Sequence, residues 1–98
     1  MDIALSVDNI PIRLTAERWF HIVENHDDMA GYYDDVLEVI ENPEFVLRGY
    51  NGSLIALRGY GRGRYLAVIY RQLSAQDGFV ITAYFTNKLE RRKIIWKR

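Results

Sequence analysis

The stretch Gly78–Phe85, with the sequence GFVITAYF, is the clearest β-strand of the chain and decides the predicted fold. It is rich in β-branched and aromatic residues, which are typical of a pleated, half-buried surface. Successive side chains of a strand point to opposite faces of the sheet. The apolar face, which we expect to look into the core, consists of Phe79, Ile81, Ala83 and Phe85. The opposite face, where we expect the chemistry, consists of Val80, Thr82 and Tyr84.

Three more β-runs lie upstream of this strand, at Phe45–Tyr50, Leu54–Tyr60 and Tyr65–Leu73. The links between the runs are short and rich in glycine, and one of them contains Asn51-Gly52, the strongest short hairpin signal. Parallel neighbours need long crossover connections, so short links indicate antiparallel pairing. The four runs therefore predict a four-stranded antiparallel meander.

Two amphipathic segments precede the strands and predict helices over Ala16–Asn25 and Tyr32–Asn42. Thr15 is a suitable N-cap for the first, and Pro43 ends the second. The resulting prediction is an α+β fold with both N-terminal helices packed on one face of the meander. The last segment, Asn87–Arg98, is expected to add a short C-terminal helix or strand.

Length and composition indicate one domain that spans residues 1–98, with a hydrophobic content of 49% and an aromatic content of 13%. The chain has no cysteine, which excludes disulfides and thiolate metal sites and fits a cytoplasmic location. No apolar run approaches the roughly 18 residues of a membrane span, so no membrane contact is expected. The oligomeric state is left open.

The formal net charge is zero, but the charges are segregated along the chain. Residues 1–44 hold eleven acids and two bases, a net charge of −9, whereas residues 45–98 hold eleven bases and two acids. Such a division predicts a molecule with one cationic face, for which nucleic acid is the first partner to consider. The alternative interpretation is that acidic helices and basic strands compensate each other within the fold.

Two pairs of side chains are candidates for catalysis. His21 and His26 flank the end of the first helix, and an imidazole with a pKa of about 6.5 can act as a general base near neutral pH. Their i, i+5 spacing separates them by roughly 140° on a helix, and no zinc motif surrounds them, so no metal is expected. Thr82 and Tyr84 share a strand face and can donate to a phosphate oxygen. The alternative interpretation is a helix cap and an ordinary solvated sheet face.

The candidate phosphate-binding cations lie on or just after the β-runs, and they are Arg48, Arg58, Arg71 and Lys88. A sheet face with cations and tyrosines can hold phosphates and stack bases. The segment GYGRGR at 59–64 lacks the lysine and helix of a P-loop and is read as a hairpin turn, with Arg62 and Arg64 placed to touch a nucleic-acid backbone. The alternative is that strand arginines guard the sheet against edge aggregation.

Several of these features occur together in an order that resembles a known superfamily. The pattern combines LT, HI and NH from Leu14 to His26, then Asn42-Pro43, then RYLAVIYR and FVITAYFT. In this order the chain, from about Ile12 to Trp96, resembles small bacterial and prophage proteins of the barnase–EndoU–colicin–RelE-like nuclease superfamily. Such proteins pack N-terminal helices against a four-stranded antiparallel sheet.

The resemblance implies metal-independent endoribonuclease activity of the toxin type, with no cofactor and with RNA and a cognate antitoxin as partners. The 2′-hydroxyl would attack the adjacent phosphate and leave a cyclic phosphate. By match to the pattern, His21 falls on the family's helix histidine, and Thr82 and Tyr84 fall on its strand. We expect His21 to be the general base, with His26 as the alternative base. The competing hypothesis is a non-catalytic module that binds RNA or protein through the same sheet.

Overall fold

The computed structural model describes all 98 residues, which form two α-helices and seven β-strands. The helices are α1 (Ala16–Asn25) and α2 (Tyr33–Glu41). The strands are β1 (Asp2–Leu5), β2 (Pro11–Leu14), β3 (Phe45–Arg48), β4 (Leu54–Gly59), β5 (Tyr65–Ser74), β6 (Asp77–Thr86) and β7 (Ile94–Lys97). Short 3-10 turns occupy Asp27–Met29, Tyr50–Gly52 and Arg91–Lys93.

All seven strands belong to one mixed sheet, in the order β1-β2-β6-β5-β4-β3-β7. The predicted four-stranded antiparallel meander is therefore wrong as a description of the sheet. Strands β3 to β6 do pair in chain order, but β2 runs parallel to β6, and β7 adds an antiparallel edge strand beside β3. The physical reason for the error is that short links identify only neighbouring hairpins. The parallel pair is closed by a long connection through both helices, as parallel pairing requires.

Both helices cover the same side of the sheet, with α1 over β6 and α2 over β4, β5 and β1. Helix α1 begins where the Thr15 hydroxyl accepts a hydrogen bond from the Arg18 backbone N–H at 3.1 Å. It ends at His26, whose backbone N–H still bonds to the Ile22 carbonyl although its own φ of −137° and ψ of 78° are not helical. Because the backbone leaves the helix at His26, its ring lies against β6, where it contacts Tyr84.

Two apolar clusters lie on opposite sides of the sheet. The principal core fills the space under the helices and includes Ile12, Ile22, Val36, Ile40, Val68, Tyr70, Val80 and Ala83. A smaller cluster on the helix-free side is built on Leu47, Leu57 and Ala67, and is bordered by Tyr84 and Leu89. The helix-free side therefore carries a small buried apolar cluster and is not uniformly polar.

Strand β6 contains a β-bulge that changes which side chains reach the core. Thr82 pairs with Ile69 and Val80 pairs with Tyr70, so Ile81 is an extra residue between two consecutive pairs. A bulge of this kind re-aims the side chains around it. Val80 is consequently buried in the principal core together with Ala83, whereas Ile81 is half-buried. The predicted alternation, with Phe79 and Ile81 inward and Val80 outward, is wrong at these three positions, because Phe79 pairs with Arg71 on the helix-free side and Ile81 is the extra residue of the bulge.

The C-terminal segment Asn87–Arg98 forms a 3-10 turn and then strand β7, so it adds a strand and no α-helix. Neither α-helix has the length and apolar character that crossing a membrane demands.

Candidate functional site

A hollow of about 270 Å³ lies where the C-terminal half of α1 meets β6. We call it the histidine hollow, and its lining consists of Arg18, His21, Ile22, Asn25, His26, Ile81 and Thr82. It therefore contains both histidines of the chain together with one of the two predicted strand hydroxyls.

The helical part of the lining follows from sequence spacing. Arg18, His21, Ile22 and Asn25 are spaced i, i+3, i+4 and i+7, so they form one stripe along α1. Ile22 is buried and anchors this stripe to the core, which leaves the polar members at the rim. On a continued helix, the His26 side chain would point about 140° away from that of His21. His26 is instead the C-cap, and its backbone already departs from the helix axis. Both imidazoles therefore reach the same hollow.

The strand part of the lining depends on two features of β6. First, β2 pairs with β6 only at Gly78 and Phe79, so the rest of that edge of β6 has no strand beside it and is approached by α1 and the following 3-10 turn. Second, the bulge lets the consecutive residues Ile81 and Thr82 both contribute to the hollow. An unbulged strand would direct these two side chains to opposite faces.

Tyr84 lies directly beside the hollow. Its ring packs against the His26 ring, with 5.7 Å between the ring centroids and 41° between the planes. The contact holds the imidazole at the edge of β6. The structure thus brings His21, His26, Thr82 and Tyr84 into one region.

The His21 ring is the more exposed of the two imidazoles. Its side chain is 57% exposed, and its Nδ1 lies 3.6 Å from Oε1 of Glu24, which is too far for a hydrogen bond. The amide of Asn25 donates to the His21 backbone carbonyl at 2.9 Å, so Asn25 braces the last turn of the helix. Neither histidine side chain makes a hydrogen bond that would select its tautomer.

Tyr84 also forms part of a second depression, on the helix-free side of the sheet. This apolar cleft has a volume of about 170 Å³ and is lined by Leu47, Ile55, Leu57, Ala67, Tyr84, Thr86, Lys88 and Glu90. Its floor comes from the small apolar cluster, and its rim carries one ammonium and one carboxylate. The Lys93 ammonium, 2.7 Å from Glu90, holds the pKa of that carboxyl below its usual range, so the rim carboxylate is ionised at neutral pH.

The four predicted cations divide between the two sides of the sheet. Lys88 lines the apolar cleft, and Arg71 pairs in register with Phe79 on the helix-free side. One terminal nitrogen of the Arg71 guanidinium donates to the backbone carbonyl of Asn51, whereas its Nε is buried without a partner. Neither cation lines the histidine hollow.

Arg48 and Arg58 lie on the helix side. Arg58 Nη1 is 3.4 Å from Oε1 of Glu38 and 3.4 Å from the Asn42 carbonyl, so it ties β4 to α2. Arg48 is exposed and pairs with Leu54, which packs against the principal core. The cation that does line the hollow is Arg18, which we did not predict. Arg18 lies three residues before His21, and this i, i+3 spacing on the predicted helix was the signal that could have identified it.

No group of three or more His, Cys, Asp or Glu side chains is placed to hold a metal ion. Comparison with models of known protein families, with curated proteins and with solved structures finds no significant match. The resemblance to the nuclease superfamily therefore stays a prediction.

Proposed function

We propose that this chain is an endoribonuclease that cleaves single-stranded RNA at the histidine hollow. The observation that carries the proposal is the meeting of two imidazoles, a guanidinium and a strand hydroxyl around one open space of about 270 Å³. These are the groups that transfer of a phosphodiester to a neighbouring hydroxyl needs, namely a base, an acid and donors for the phosphate oxygens. The resemblance in sequence pattern supports the same chemistry, and the cysteine-free composition favours the cytoplasm as its location.

The reaction would proceed by attack of a ribose 2′-oxygen on the adjacent phosphorus. The O2′–P bond forms and the P–O5′ bond breaks, which gives a 2′,3′-cyclic phosphate and a 5′-hydroxyl. One neutral imidazole takes the proton of the 2′-hydroxyl, and one imidazolium returns a proton to the leaving 5′-oxygen. We assign His21 as the base, and His26, whose ring packs against Tyr84, as the acid.

The remaining groups would stabilise charge on the phosphate. Arg18 can donate to the non-bridging oxygens, and the Thr82 hydroxyl can add a further hydrogen bond. Arg71 and Lys88 lie on the helix-free side, where they can contact RNA beyond the cleavage point. Arg48 and Arg58 have no part in this proposal because neither lines the hollow and their strands, β3 and β4, lie two or more strands away from β6.

One observation favours a second function, which is RNA binding without cleavage. Neither imidazole has a hydrogen-bonded partner that orients it, and the nearest carboxylate oxygen to His21 is 3.6 Å away. In many enzymes, by contrast, the catalytic histidine is oriented by a hydrogen bond to a further side chain. A toxin role, and the cognate antitoxin that it would imply, remain predictions in either case.

The test is incubation of the purified chain with a fluorescent single-stranded oligoribonucleotide in EDTA. We expect fragments that end in a 2′,3′-cyclic phosphate, identified by mass spectrometry. His21→Ala and His26→Ala should each lower the cleavage rate by about 10²- to 10⁴-fold, the usual contribution of a general acid or base. Phe20→Ala is the matched control, because Phe20 is exposed on α1 and does not line the hollow.

Circular dichroism of each variant separates loss of chemistry from loss of fold. RNA that is bound but left intact by the wild type would establish the second function instead. Undiminished cleavage in both histidine variants would place the active site elsewhere.

A further inference from the structure

A second polar hollow, of about 500 Å³, lies at the far end of β6 from the bulge. We call it the arginine hollow, and it is lined by Arg62, Arg64, Phe85, Thr86 and Asn87. It is formed between the β4–β5 turn and the last residues of β6. None of its residues lines the histidine hollow.

The turn that carries the two arginines has a defined backbone. Gly61, Arg62 and Gly63 all have positive φ, at 83°, 57° and 71°. The Arg64 N–H donates to the Gly61 carbonyl at 3.0 Å, and the Tyr60 N–H donates to the Arg64 carbonyl at 2.8 Å. Arg62 thus occupies a left-handed conformation that residues other than glycine rarely adopt. These bonds fix the direction in which Arg62 and Arg64 leave the turn.

Arg64 is further positioned by aromatic packing. Its guanidinium carbon lies 4.2 Å from the centre of the Phe85 ring, within the range of a cation–π contact. Phe85 in turn packs edge-on against Tyr32 at 5.0 Å and against Tyr60 at 5.8 Å. The guanidinium therefore rests on a group of aromatic rings that packs against the principal core.

Both arginine charges are available to a ligand. No carboxylate makes an ion pair with Arg62 or Arg64, in contrast to Arg13 and Arg58. The Thr86 side-chain oxygen accepts a hydrogen bond from the Lys88 backbone N–H at 3.2 Å, which leaves its O–H free to donate. Two guanidinium groups and a hydroxyl donor at one point of the surface match the acceptors of a phosphate group.

The two hollows are connected by β6 itself. Thr82 and Thr86 pair with Ile69 and Tyr65 of the adjacent strand, and Tyr84 lies between them on the same side of the sheet. Four residues of antiparallel strand cover roughly 14 Å at about 3.4 Å per residue. A ligand that reaches both hollows must therefore be longer than a mononucleotide.

We propose that the arginine hollow is a second phosphate-binding subsite for a single strand of RNA that runs along β6 and passes Tyr84. The RNA strand enters the histidine hollow with the phosphate to be cleaved and the arginine hollow with a single phosphate farther along the same strand. This subsite deepens the proposed function and rests on it, because it takes single-stranded RNA as the ligand. Arg62 and Arg64 bind RNA here and do not touch the reacting atoms.

The test measures binding of a 5′-fluorescent 2′-O-methyl oligouridine of six nucleotides, which lacks the attacking hydroxyl and cannot be cleaved. Fluorescence anisotropy gives Kd at about 50 mM and about 200 mM salt, a range over which phosphate contacts change affinity strongly. The variant R62Q/R64Q removes the two guanidinium groups. The control K97Q/R98Q removes two exposed cations from β7 and the following residue, on the far edge of the sheet.

Each lost phosphate contact on a single strand should reduce the slope of log K against log salt by about 0.7. Because one phosphate contact is lost, R62Q/R64Q should bind more weakly at low salt, and its affinity should fall about 2.6-fold less than that of the wild type across the fourfold salt range. K97Q/R98Q should keep the wild-type slope. In cleavage assays, R62Q/R64Q should raise KM for a six-nucleotide RNA and leave cleavage of the dinucleotide UpU unchanged.

Other results overturn the proposal in distinguishable ways. An unchanged salt slope in R62Q/R64Q, or an equal change in K97Q/R98Q, would show that the arginine hollow is not a phosphate subsite even if RNA is cleaved. Arginine-dependent binding by a wild type that cuts no RNA would support the subsite and reject the proposed activity. A wild type that does not bind the oligouridine would reject both.

Discussion

The bulge in β6 can be tested by comparing two neighbouring substitutions, Val80→Ala and Ile81→Ala. Val80 is 1% exposed in the principal core, whereas Ile81 is the extra residue of the bulge and is half-buried. Regular alternation counted back from Ala83, which lies in the principal core, would instead put Ile81 in the core and Val80 outside it. The two substitutions therefore distinguish the bulged strand from a straight one.

The expected costs follow from the number of carbons removed and their burial. Val80→Ala deletes two buried methyl groups, worth about 0.8 kcal/mol each for transfer alone, and the cavity left behind raises the cost to about 2–3 kcal/mol. Ile81→Ala deletes three carbons, but with half of the side chain in water and no closed cavity the cost should be about 1 kcal/mol. The smaller deletion should therefore be the more damaging one.

Urea unfolding followed by tryptophan fluorescence measures both free energies, with an unchanged m-value as the check that the two-state analysis applies. Trp19 packs against the principal core and reports on its loss. An Ile81→Ala variant that is destabilised as much as Val80→Ala would refute the bulge. It would also remove the reason for Ile81 and Thr82 to line the same hollow.

Two further predictions concern the junction of β2 and β6. Gly78→Ala should destabilise the fold by about 1–3 kcal/mol in urea unfolding, because a Cβ there would lie 2.6 Å from both the Arg71 carbonyl oxygen and Ile12 Cδ1. An unchanged midpoint would mean that this close approach is absent. The Arg13 guanidinium donates two hydrogen bonds to Asp77 and holds the pKa of that carboxyl below its usual range. The pair therefore contributes stability above the ordinary carboxyl pKa, and this contribution is lost as the pH falls through the lowered one. Asp77→Asn should be slightly less stable than the wild type at pH 7 and equal to it in strong acid, and a difference that persists in acid would contradict this.

Local signals in the sequence located the helices and the central strands well. Helix α1 has the predicted bounds, and α2 is shorter by one residue at each end. The Asn51-Gly52 link and the glycine-rich link both connect antiparallel neighbours. These features depend on caps, periodicity and turn residues, all of which act over a few positions. For this part of the fold, the sequence determines the structure locally.

The pairings of the outer strands could not be predicted in the same way. Strand β1 has only four residues, and its pairing with β2 has no Asn-Gly or Asp-Gly signal. The parallel contact of β2 with β6 joins residues 12–13 to residues 78–79, and no local pattern encodes so distant a pair. The sequence contains no local signal for the bulge either, because isoleucine is favourable on either face of a strand. Long-range packing decided each of these features.

The candidate site shows the same division. Side-chain chemistry was enough to select the histidines, Thr82 and Tyr84, but their proximity depends on the open edge of β6 and on the non-helical backbone of His26. The order of the strands in the sheet decides which cations lie near these four side chains. Arg58 is separated from the hollow because β4 lies two strands from β6 and its side chain faces α2.

The distribution of charge explains why an RNA enzyme with this hollow would need a second subsite. Only one ion pair, Arg58 with Glu38, joins a base of residues 45–98 to an acid of residues 1–44, so internal compensation accounts for little of the segregated charge. Most of the histidine hollow's lining comes from the acidic half, and its single guanidinium, Arg18, lies near Glu24 and the Asp27-Asp28 pair in sequence. A polyanion such as RNA gains little binding energy from the electrostatic potential of one guanidinium among these carboxylates. Binding energy from remote groups can compensate, as it does when enzymes use non-reacting parts of a substrate. The arginine hollow lies in the basic half and on the same strand, so affinity and chemistry would reside at opposite ends of β6.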